Sequence, residues 1–173
     1  MSSLDLESLA VRSAIKIEEF LRCCNIDSRS AKALSRRAEE LPSLIQQAGL
    51  FQAIVFYLSK IEDELYSQVY DVIAADQQQS GRTKSVDCRS LVEEVTSEGG
   101  GYTVLLATLS YAISRYVSGV HGQSMVDHCS NLRSKVDVAK CLLNLREKGL
   151  LLSVERALTP FALTVKRLFE ALF

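Results

Sequence analysis

Between Arg36 and Lys60 the chain reads Arg-Arg-Ala-Glu-Glu-Leu-Pro-Ser-Leu-Ile-Gln-Gln-Ala-Gly-Leu-Phe-Gln-Ala-Ile-Val-Phe-Tyr-Leu-Ser-Lys, and this stretch restricts the fold more than any other. Ala31, Leu34, Ala38, Leu41, Ile45 and Ala48 form an apolar stripe at helical steps that keeps its phase across Pro42. Proline lacks a backbone donor and disfavours helical geometry in the residue before it. The pattern therefore predicts either a kink at Pro42 or a new helix with Pro42 in its first turn, the pieces near-coaxial. Gly49 is placed to end that helix through a left-handed backbone. From Leu50 to Leu58 the chain is apolar almost all round, which predicts a central, buried helix continuing to about Ala75 through Ile61, Leu65, Val69, Val72 and Ile73.

The flanking segments are helical by the same criterion. Leu6, Leu9, Ala10, Ala14, Ile17 and Leu21 give an amphipathic helix over about Leu4 to Leu21, and Asp27 or Ser28 is suited to start the next one. Asp76 to Ser85 is polar and reads as an exposed loop. A short helix at about Arg89 to Thr96 ends at Gly99-Gly100-Gly101, which reads as a linker into a second buried helix, Tyr102 to about Val120. Two more helices are expected, near Asn131 to Lys148 and over Leu150 to Leu172, the last interrupted at Thr159-Pro160. No stretch alternates with a period of two and no longer repeat is present, so the expected fold is all-α, a bundle of six or seven helices with two central. At 173 residues, 47% of them apolar, the chain suits one domain over residues 1–173.

Composition excludes several classes. A formal net charge of -1 leaves no overall basicity, so nucleic-acid binding requires a local patch. Five cysteines, with an adjacent pair at Cys23-Cys24, do not resemble a disulfide framework and point to a reducing, cytoplasmic setting. The acidic N-terminal segment does not resemble a signal peptide, and no run approaches the apolar length of a membrane span.

Catalytic ingredients are sparse. His121 and His128 are the only histidines, with Asp127 and Cys129 beside the second. A Cys-His nucleophile or a metal site could draw on them, but the spacing matches no metal-ligand pattern. Carboxylate pairs such as Glu39-Glu40 and Glu93-Glu94 lie where solvated helix faces are expected, and Gly99-Gly100-Gly101 lacks the lysine of a phosphate loop. The expectation is no catalytic residue, no metal and no cofactor.

The basic residues carry more information. Arg29, Lys32 and Arg36 recur at steps of three and four opposite the apolar stripe, with Arg37 adjacent. They crowd the first turns of a helix, where the macrodipole disfavours positive charge. Phosphate contact would account for that placement, whereas pairing of Arg36 with Glu40 would make it ordinary surface. Lys166 and Arg167 near the C-terminus, and Arg82 and Lys84 in the polar loop, are secondary candidates. No aromatic residue interleaves with these groups, so contact with an RNA backbone is expected rather than base reading.

The opening stretch also carries a resemblance. Leu41-Pro42-Ser43-Leu44-Ile45, then Gly49-Leu50, Ala53-Ile54-Val55-Phe56 and Lys60, resembles the signature of the small helical subunit of the Cmr complex, the type III-B CRISPR RNA-guided effector. Val154-Glu155-Arg156-Ala157-Leu158 and Val165-Lys166-Arg167-Leu168-Phe169-Glu170-Ala171-Leu172 resemble that family's closing helix. Ala48 stands where the family usually has Asn, and a common late tryptophan is absent. The resemblance implies a non-catalytic subunit in antiviral defence, stacked head to tail with copies of itself beside other effector-complex subunits and along the guide–target RNA. Two alternatives come from other classes: a helical adaptor that binds only protein, and a small enzyme using His121, His128 or Cys129.

Overall fold

A computed structural model describes residues 5–75, 87–121 and 127–173. Among them are seven α-helices and no strand: α1 (Leu6–Cys23), α2 (Lys32–Leu58), α3 (Asp63–Ala74), α4 (Cys88–Thr96), α5 (Tyr102–His121), α6 (Lys135–Glu147) and α7 (Leu151–Leu172). The polar loop expected over Asp76 to Ser85, with Arg82 and Lys84 in it, lies outside the described residues.

Each helix follows from local chemistry. Asp5 caps α1 by accepting from the backbone N–H groups of Glu7 and Ser8, both at 3.1 Å, and the stripe Leu9, Ala10, Ala14, Ile17 and Leu21 is buried. Ser134 and Asp137 form a reciprocal capping box at the start of α6. Asp87 caps α4 in the same way as Asp5 caps α1. The helix expected from Leu50 to Ala75 is two: α2 stops at Leu58, and Glu62, with extended backbone, precedes α3. The apolar phase of Ile61 hid that break, because Ile61 is buried on the turn itself.

Neither proline interrupts a helix. Pro42 sits inside α2 and Pro160 inside α7, and the interruption expected at Pro160 is not there. The one break within α2 is Gly49, whose φ of 83° is positive as expected but whose ψ of 159° is extended rather than left-handed helical. The break divides α2 into two limbs and frees the N–H of Leu50 from its helical partner. Glu155 of α7 fills that place: its Oε2 accepts from Leu50 N at 2.8 Å. The two stretches that resemble one family, one around Gly49 and one around Glu155, are therefore joined by a direct bond.

α2 and α7 form the largest helix–helix contact, and α5 packs against α3, α2, α1 and α7. Within α5, every residue from Tyr102 to Ser110 is buried, and so are Ala112, Ile113, Ser114 and Val117. The second limb of α2 buries only Leu50, Ala53, Ile54 and Tyr57; Val55 and Phe56 remain exposed. α2 is also long and apolar enough to cross a membrane, contrary to the sequence reading, yet in the fold its apolar face lies against α7 and α5. α3 grips the segment leading into α6: Tyr66 donates its hydroxyl to Leu132 O at 2.6 Å, Asp71 pairs with Arg133 at 2.8 Å, and Asp63 accepts from Lys135 N at 2.8 Å.

The cysteines overturn one expectation, that they form no disulfides. Cys24–Cys88 and Cys129–Cys141 are disulfides, and only Cys23 is a free thiol. Their Cα atoms lie 5.4 and 4.8 Å apart, within the span a disulfide bridges. An odd count and an adjacent pair concealed them, because only the fold shows that Cys24, at the end of α1, faces the start of α4.

Candidate functional site

The basic cluster begins at a turn, not inside a helix. Ser28–Ser30 is a 3-10 turn started by Asp27, whose Oδ1 accepts from Arg29 N at 3.2 Å, and α2 begins only at Lys32. Arg29 is therefore presented from the turn, and Lys32 and Arg36 from the first limb of α2. All three are exposed, and neither Arg29 nor Lys32 forms an ion pair among the described residues. Ala31 at the N-cap supplies no side-chain acceptor to the first turn of α2, where Leu34 N donates to Ala31 O at 3.0 Å.

Arg37 does something else. Its side chain is only 11% exposed. Nη2 donates to Glu98 O at 2.6 Å, Nε donates to Gly100 O at 3.0 Å, and Nη1 meets Glu40 Oε2 at 2.8 Å. The guanidinium lies 4.4 Å from the centroid of the Tyr102 ring. The ion pair considered for Arg36 and Glu40 is thus made by Arg37, and Arg36 instead reaches Glu98 O at 3.4 Å. Arg37 directs donors from Nε and Nη2 to the corner between α4 and α5 and from Nη1 to Glu40 of α2.

That corner explains the glycine triplet. A Cβ on Gly100 would lie 1.8 Å from Glu94 O, and one on Gly101, where φ is +90°, would lie 2.7 Å from Ala33 O. The triplet links α4 to α5 as expected, with Gly99 in open space, Gly100 close-packed against Glu94 of α4 and Gly101 against α2. Glu94 completes it by accepting from Thr103 N at 2.6 Å at the start of α5. Burial pushes the Glu94 carboxyl above its ordinary range, while the bonds from Thr103 and Gly101 and the charge of Arg37 pull it back. Sequence reasoning missed this junction; the adjacency of Gly-Gly-Gly to Tyr102 was the available signal.

Lys166 and Arg167 lie on α7, away from the 3-10 turn in sequence and element. Lys166 is half-buried with Nζ 3.9 Å from Glu170, and Arg167 is exposed. Arg167 shares the outer face of α7 with Arg156, Leu152 and Leu163, the two leucines being 55% and 42% exposed.

The enzymatic alternative loses its nucleophile. Cys129 is fully buried and bonded to Cys141, so it cannot pair with His128, which is exposed. No cluster of three metal-ligating side chains occurs among the described residues. An open cleft of about 570 Å³ is lined by Tyr116, Gly149, Leu152, Ser153, Arg156 and Ala157, a set without carboxylate, histidine or cysteine.

Comparison with known proteins agrees with the resemblance read from the sequence. The family described as CRISPR-associated protein (Cas_Cmr5) matches residues 11–118, more than half of the chain, from α1 through most of α5. The match includes the Arg36–Lys60 stretch and stops before α7. No curated protein and no solved structure matches the chain. An all-helical bundle, the Leu-Pro step and the Gly-Leu break within α2 and this match together place the chain in the Cas_Cmr5 family, the small subunits of the type III-B CRISPR (Cmr) complex.

Proposed function

We propose that this subunit is a non-catalytic spacer of the Cmr effector in antiviral defence, stacked head to tail with copies of itself, and that Arg29, Lys32 and Arg36 lie along the backbone of the guide–target RNA. The observation that carries the RNA contact is the exposure of Arg29 and Lys32, without ion pairs among the described residues, at an α2 N-terminus that has no side-chain cap. Cations at that end cost stability in the free protein, and a phosphate placed there would reverse the sign of the interaction. Arg37 keeps the face in register by fixing α2 to the α4–α5 corner. Lys166 and Arg167 are secondary contacts.

Head-to-tail stacking needs two different faces of one protein. The outer face of α7, with Leu152 and Leu163 exposed beside Arg156 and Arg167, supplies one; the basic end of α2 borders the other. As part of an effector complex the protein works in the cytoplasm, where disulfides are uncommon. The test is reconstitution of the complex with Arg29→Glu, Lys32→Glu and Arg36→Glu combined. Assembly should be retained and RNA affinity should fall; assembly with unaltered affinity would leave the alternative, an adaptor that touches only protein.

A further inference from the structure

We propose that the Cys24–Cys88 disulfide is a reducible tether for α4, so that a dithiol reductant frees α4 and the Ser97–Gly101 corner while the remaining bundle stays folded. Three observations converge. First, α4 has nine residues and buries only Leu91 and Val95, and its main helix contact is with α2. A helix that short is marginal without tertiary support. Second, the tether joins its first residue to the C-cap of α1, 64 positions earlier, at the point where the connection from α3 arrives. Beyond the bond, that end is held by Asp87 N donating to Gln68 Oε1 at 3.1 Å.

Third, the two disulfides differ in access. Cys129 and Cys141 are 0% and 1% exposed, whereas Cys24 and Cys88 are both half-buried. Exchange requires a thiolate to reach sulfur, so a dithiol meets Cys24–Cys88 first. One thiolate of the reductant attacks a sulfur of the pair and forms a mixed disulfide. Its second thiol then displaces the protein sulfur. The reductant leaves as a disulfide, and two electrons and two protons end on Cys24 and Cys88 as thiols. The freed helix leads directly into Glu98 O and Gly100 O, the acceptors that hold Arg36 and Arg37. This inference does not depend on whether the basic face binds RNA.

The test counts thiols and follows amide exchange in the same sample. Native protein is alkylated first, and Cys23 alone should react. Mild dithiothreitol should then release two thiols, at Cys24 and Cys88, with Cys129–Cys141 retained. Amides of residues 88–96 should exchange at least about tenfold faster, while those of α7 change less than about twofold. The Cys24→Ser/Cys88→Ser variant should show the same pattern without reductant; if it does not fold, the wild-type arm decides. More than one alkylatable thiol at the start, earlier opening of Cys129–Cys141, unchanged exchange of α4 once Cys24 and Cys88 are free, or loss of the whole fold would each overturn the proposal.

Discussion

The junction at Gly49 gives the sharpest energetic prediction. With φ at 83° and ψ at 159°, Gly49 occupies a region open almost only to glycine. A Cβ there has room, since its nearest neighbour is Glu155 Oε2 at 3.4 Å, so the cost of Gly49→Ala is conformational rather than steric. Such a residue stores roughly 1–3 kcal/mol. Glu155→Ala removes the acceptor of the Leu50 N–H, a charge-assisted bond at a helix start worth about 1–2 kcal/mol. For a chain of this length each kcal/mol moves Tm by about 2–4 °C. Gly49→Ala should therefore lower Tm by about 2–12 °C and Glu155→Ala by about 2–8 °C. Glu155→Gln keeps an acceptor and should lose less than half as much as Ala. Because both residues act on one backbone group, the double variant should cost less than the sum. Urea unfolding and calorimetry read all four proteins. A Gly49→Ala cost below about 0.5 kcal/mol, or equal losses for Gln and Ala at Glu155, would refute the reasoning.

Substitutions at two further residues, Arg37 and Glu94, test the α4–α5 corner. Arg37→Ala removes four hydrogen bonds and the stacking on Tyr102, for a loss of about 2–4 kcal/mol in urea unfolding, and Arg37→Lys should recover less than half because an ammonium lacks the planar fork. At Glu94, burial gives the folded state the higher carboxyl pKa, so the fold binds more protons there than the unfolded chain. That contribution is present at low pH and lost as pH rises through the folded value. Wild type should gain stability relative to Glu94→Gln as pH falls from 7 towards 4, and a pH-independent difference would contradict the burial argument.

The parts of the fold legible in sequence were those set by periodicity over long helices. The stripes of α1 and of the first limb of α2, the burial of α5 and the break at Gly49 all follow from residue spacing. What was hidden depends on partners distant in the chain. Glu155 looks like a surface carboxylate until Leu50 loses its helical acceptor, and Arg37 looks like its neighbour Arg36 until the glycine corner turns its carbonyls towards it. The same holds for the disulfides, whose partners are 64 and 12 positions apart. Local propensity misjudged Pro160 and the turn at Ser59 to Glu62 for the opposite reason, since tertiary packing on one face overrides a single unfavourable residue and a continuous apolar phase can cross a break.

The salt dependence of RNA binding by the assembled complex separates phosphate contact at the α2 end from a subunit that touches only protein. Phosphate contacts release counterions, so each one lost makes the slope of log affinity against log salt shallower by about one unit or slightly less. With Arg29→Glu, Lys32→Glu and Arg36→Glu combined, guide–target RNA should bind more weakly irrespective of sequence and with a shallower slope, assembly remaining intact. An unchanged slope and affinity in a fully assembled complex would contradict phosphate contact by these residues.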